Sequence, residues 1–138
     1  FRHGNAQFIA LDTTEGTLYK DTRVSGETLD WLAGAVKALD PGQSTMLFSH
    51  FPLANPIAMT PLNADRLWGL LRSLPVRAAF CGHFHGQDAV LRDPLVLTNV
   101  CCSRVRDNHD GDPRKGFWMV EWEGAAGQIR YHLIRLPV

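Results

Sequence analysis

Three histidines stand where strand-like runs give way to turns. His50 lies in Phe48-Ser49-His50-Phe51-Pro52, and His83 and His85 lie in Gly82-His83-Phe84-His85-Gly86. A neutral imidazole offers a nitrogen lone pair and is a common ligand for transition metals. The His-x-His spacing on an extended turn places two rings near one point. Gly82 and Gly86 permit turns that other residues resist and let backbones come close. A lone histidine after a strand is ordinarily a surface or hydrogen-bonded residue. Two such segments, each after an apolar run, point instead to a shared metal site. Asp12 closes a third apolar run.

The elements that must position these residues follow from periodicity. Phe8-Ile9-Ala10-Leu11 reads as a buried strand, followed by a turn-like cluster of Thr13, Thr14 and Gly16. Residues 16–25 read as a polar connection. Ser25 is suited to cap a helix, with Glu27 in its first turn and Leu29, Leu32, Val36 and Leu39 on one apolar stripe. Pro41-Gly42 stops it. Met46-Leu47-Phe48 lacks polar alternation, as a strand covered on both faces does. Pro52, Pro56 and Pro61 exclude regular structure from 51–61, so a long loop follows His50 directly. Asn63 is suited to cap a second helix, with Asp65 in its first turn, Leu67, Leu70, Leu71 and Leu74 on one face, and Pro75 at its end. Val76 to Cys81 reads as a buried strand that runs into His83 and His85. Strand, helix, strand, helix, strand implies a parallel α/β sheet with right-handed crossovers. Ligands in such sheets bind at the carboxyl ends of the strands, where Asp12, His50, His83 and His85 are expected to converge. Beyond residue 88 come short β-like runs at 89–91, 95–100, 117–122 and 129–136. Residues 124–127 form a hairpin turn, Ile129, Tyr131 and Leu133 share a face, and 103–116 form a polar loop.

Composition narrows the function classes. A chain of 138 residues is one domain or a piece of one. Apolar residues at 45% and charged residues at 20% exclude a disordered chain. Basic and acidic residues number 14 each, so no global field draws the chain to nucleic acid or an anionic membrane. The apolar runs are far shorter than the roughly 18 residues of a membrane span. Cys81, Cys101 and Cys102 do not make a disulfide framework and read as buried thiols. The chain begins at Phe1 without a leader pattern, so the expectation is a removed leader or a start part-way through a longer product.

In four blocks the chain resembles the calcineurin-like metallophosphoesterases, in the branch that includes cyclic-nucleotide-phosphodiesterase-like enzymes. The blocks are Phe8-Ile9-Ala10-Leu11-Asp12-Thr13, Leu29-Asp30-Trp31-Leu32, Phe48-Ser49-His50-Phe51-Pro52 and Gly82-His83-Phe84-His85. The Gly-His-x-His block is the most specific. The resemblance spans nearly all of this chain but only the later half of the family's domain. It implies that residues 1–138 form a single partial domain, the C-terminal half of a four-layer α/β/β/α sandwich. That half is a parallel βαβαβ unit followed by mainly antiparallel strands. It implies that His50 and His83 ligate one divalent metal and His85 another, with Mn, Fe or Zn suited to the nitrogen donors. Two such ions clamp a phosphoryl oxygen and activate a water during hydrolysis of a phosphate ester. It implies no metal role for Asp12. The family's earlier blocks, Asp-x-His, Gly-Asp-x-x-Asp and Gly-Asn-His-Asp/Glu, supply the carboxylates, an asparagine ligand and the histidine that assists the leaving group. They have no counterpart in order here. The expectation is a fragment that is not a competent enzyme alone, binds at most one metal weakly, and depends on the N-terminal half of the domain. Its stripped apolar surfaces favour poor solubility or self-association.

Asp107-Asn108-His109-Asp110 contains Asn-His-Asp but follows Gly-His-x-His and has no buried strand before it. His109 therefore reads as a solvated loop residue or one touching the site mouth. Arg104, Arg106 and Arg114 in the same loop are candidates to hold a substrate phosphate. His3 and His132 read as surface residues. A metallo-β-lactamase-like hydrolase is a weaker reading, because His83 to Asp88 lacks that signature's aspartate position and following histidine. A non-catalytic half-domain, keeping the sheet and histidines as scaffold or interaction module, is the other alternative.

Overall fold

Short β-compatible runs separated by two amphipathic segments dictate a layered α/β arrangement. The computed structural model describes residues 1–14, 21–54, 57, 59–84, 89–90, 95–98, 115–124 and 127–137. In chain order the elements are β1 (Arg2–His3), β2 (Ala6–Leu11), α1 (Gly26–Val36), β3 (Ser44–Ser49), α2 (Ala64–Leu71), β4 (Val76–Cys81), β5 (Ala89–Val90), β6 (Leu95–Thr98), β7 (Gly116–Glu123) and β8 (Gln128–Arg135). One sheet has the order β1-β2-β3-β4-β6-β5, and β7-β8 form a second. Strands β2, β3, β4 and β6 are parallel neighbours, while β1 and β5 are antiparallel edges. The protein is thus α/β, with a mostly parallel mixed sheet and an antiparallel hairpin. No helix among the described residues is long and apolar enough to cross a membrane.

The helices cover one face of the mixed sheet. Leu29 and Leu32 of α1 and Leu67 and Leu71 of α2 join Ile9, Leu11, Leu47, Ala79 and Val96 in one buried cluster. Ser25 caps α1 as expected, its hydroxyl accepting from the Thr28 amide at 2.9 Å. The helix ends at Val36 rather than running to Leu39. Leu39 still packs on the core from the following turn, which Leu39 N–H joins by donating to Val36 O. Asn63 departs from expectation. It precedes α2, but its side chain makes no capping bond. Its amide clasps both backbone groups of Val24, each at 2.9 Å. That clasp anchors a segment read as a polar connection, in which Val24 is 2% exposed.

One strand, β1, escaped the periodicity, and the pairing of β6 was not legible in it. Gly4, at φ +56°, and Asn5 turn β1 back onto β2. Gly-Asn between strand residues is a hairpin signal, too short here to stand out. Strand β6 rejoins the parallel sheet beside β4 instead of continuing an antiparallel series. A short apolar run specifies burial but not the direction of its partner.

The hairpin β7-β8 packs on the other face of the mixed sheet. Trp118, Val120, Ile129 and Tyr131 meet Ala78, Leu95 and Leu97. The Trp118 indole donates to Thr98 O at 2.7 Å. His132, opposite Met119, lies on the exposed outer face, in accord with its surface reading. At the hairpin turn, the Asn5 amide occupies the space a Cβ on Gly124 would need.

Gln7 is the buried polar link between sheet and helix end. Its side chain is fully buried, donates to Asp40 O and Thr45 Oγ1, each at 2.9 Å, and accepts from the Asp40 amide at 3.1 Å. Gln7→Ala is expected to cost about 1–3 kcal/mol through the unmade bonds. Urea denaturation measures this as a lowered midpoint; an unchanged midpoint refutes the role.

Candidate metal site at the sheet rim

The parallel register carries the chain to the site. Leu11 pairs with Ser49 and Ser49 with Cys81, so β2, β3 and β4 end side by side. His50 follows β3 and His83 follows β4 by one intervening residue. Their ring nitrogens His50 Nε2 and His83 Nδ1 stand 3.0 Å apart, with the ring planes at 70°. One nitrogen carries the bridging proton and the other accepts it.

Backbone chemistry holds this pair. The Gly82 amide donates to both Ser49 O at 3.2 Å and His50 O at 2.9 Å. A Cβ on Gly82 would stand 3.3 Å from His50 O and 3.5 Å from His50 Nδ1, so only glycine fits there without displacement. Phe84 N donates to Gly82 O at 2.7 Å across His83, whose φ is +59°. This is the rare, strained form of three-residue turn. A positive φ at a residue with a Cβ costs about 1–2 kcal/mol. Phe51 bears on the turn, its ring centroid 4.3 Å from that of His83.

Thr13 and Ser49 support the loop after His50. Thr13 is fully buried, and its hydroxyl accepts from the Phe51 amide at 3.0 Å. Ser49 Oγ donates to Phe51 O at 2.7 Å and contacts Cys81 Sγ at 3.4 Å. The Trp68 indole donates to Leu53 O at 2.8 Å and ties the loop to α2. Sequence patterns placed Thr13 in a turn cluster; no local signal marks a hydroxyl that serves a loop 38 residues away. Burial pushes the Cys81 thiol up, so it fits the reading of a small apolar residue.

The donor set can be tested against a metal. Two nitrogens about 2.1 Å from one ion lie about 3.4 Å apart at the tetrahedral angle and about 3.0 Å apart at a right angle. The observed 3.0 Å is the hydrogen-bonded separation of the two rings. Ligation would need a lone pair on both atoms, so the proton between them would move to the other nitrogen of its ring. Among the described residues, no group of three His, Cys, Asp or Glu side chains is placed to hold an ion. His85, Arg104, Arg106, His109, Arg114, Cys101 and Cys102 lie outside the described residues.

Asp12 reaches the carboxyl end of β2 but does not join the imidazoles. Its carboxylate accepts from Thr14 N at 2.9 Å and Thr14 Oγ1 at 2.6 Å. It opens onto a separate depression beside Glu27, Thr28 and Trp31. Asp12, His50 and His83 thus follow strand ends on one rim, as expected; the two imidazoles touch there, while Asp12 bonds Thr14. A shallow cavity of about 410 Å³ adjoins His50, floored by Ala10, Phe48 and Phe80. A cavity of about 470 Å³ runs along α2 and the start of β4. Its described lining holds no histidine or carboxylate.

Protein-family models and curated proteins, compared with this sequence, gave no match.

Thr13→Val keeps the volume and removes the acceptor of the Phe51 amide. It is expected to cost about 1–3 kcal/mol, measured by urea denaturation; a neutral result removes Thr13 from the support of the loop. The Asp12 carboxyl is held below its usual value, chiefly by the Thr14 hydroxyl and then by the Thr14 amide. Its folded pKa lies below the unfolded one, so its contribution is present above about pH 4 and is lost as pH falls through the folded value. An NMR titration should give an Asp12 midpoint below the usual carboxylate value. Thr14→Ala should move it upward, and no movement excludes the hydroxyl as the cause.

Proposed function

We propose that this chain is the C-terminal half of a metal-dependent phosphoesterase domain of the four-layer α/β/β/α kind, acting on a phosphate ester. The observation that carries the reading is the 3.0 Å approach of His50 Nε2 and His83 Nδ1 at the carboxyl ends of adjacent parallel strands. His50 and His83 hold one divalent ion, of Mn, Fe or Zn type, and His85 is assigned to a second. The ions, when bound, supply a polarised phosphoryl oxygen and an activated water. The chain's own residues orient the imidazoles: Gly82 by its two amide bonds, Phe51 by ring contact, Thr13 by holding Phe51. Neutral imidazoles do not offset the charge of two dications. The carboxylates therefore come from polypeptide beyond these motifs, which on this reading is the preceding half of the domain. Arg104, Arg106, Arg114 and His109 stand as candidates for the substrate side.

The second reading is a non-catalytic half-domain, favoured by the absence of a three-ligand group among the described residues.

Calorimetric titration with Zn²⁺ or Mn²⁺ tests the site. The 138-residue chain is expected to bind at most one ion, weakly, and His50→Ala or His83→Ala to lower that affinity at least about tenfold. Turnover of a chromogenic phosphodiester is expected only when the preceding segment of the gene product is restored. Affinity indifferent to both histidines would sink the metal site. Two tightly held ions and robust turnover by the 138-residue chain alone would refute the half-domain reading.

A further inference from the structure

We draw no further inference here: the strongest candidate, the cavity of about 470 Å³ along α2 and the start of β4, is floored by the buried side chains of Leu53, Leu71 and Val96 with exposed Arg72 and Arg77 beside it, and nothing among the described residues shows what fills it.

Discussion

The site depends on one constraint, the parallel register that sets Ser49 beside Cys81. Once these strand ends are level, the residues that follow them share a rim. The 3.0 Å approach of His50 to His83 is then a consequence of chain direction. In an antiparallel pair, the residues after one strand lie beside those before the other, and these two histidines would part. Parallel pairing of β3 and β4 requires a crossover, and the segment through α2 supplies it. The buried faces of Leu67 and Leu71 hold that crossover down. Core packing and the histidine pair are therefore one problem with one solution.

The positive φ of His83 is the local cost of this geometry. It persists because several bonds over-determine the turn: the divided amide of Gly82, the short bond from Phe84 N to Gly82 O, and the Phe51 ring. Strain of this kind, held in place by its surroundings, gathers at functional sites. Phe51 is held in turn by Thr13 just past the end of β2, so the ends of β2, β3 and β4 cooperate in placing two rings. The helix-covered face is closed by apolar packing, and the histidine pair stands at the rim. The opposite face carries the hairpin and a row of phenylalanine rings, and Ala10, Phe48 and Phe80 of that face line the cavity beside His50.

Much of this was legible in the residues. The strand–helix alternation, the Ser25 cap and the buried character of β4 follow from spacing and side-chain type, because burial and capping are local demands. His50 and His83 were legible as candidates because they end apolar runs. Other features were not. Asn63 has the chemistry of a cap, yet Val24 competes for its amide and wins, since a clasp to two backbone groups satisfies both ends of the side chain. Asp12 has the right position and the wrong partner, because Thr14 lies only two residues away. Gln7 and Thr13 look like ordinary polar residues and prove to be buried links between distant segments. The β6 run announces burial without announcing that it pairs with β4.

By itself, the sequence determined the class of the fold, the order of strand and helix, and which histidines close the apolar runs. These follow from periodicity, propensity and turn chemistry, all of which act over a few residues. Only the tertiary structure decided that His50 and His83 touch, that Asp12 bonds Thr14 instead, and that Thr13 braces the loop. The first and last of those outcomes depend on contacts between segments tens of residues apart, where register and competition for partners, rather than local pattern, set the distances.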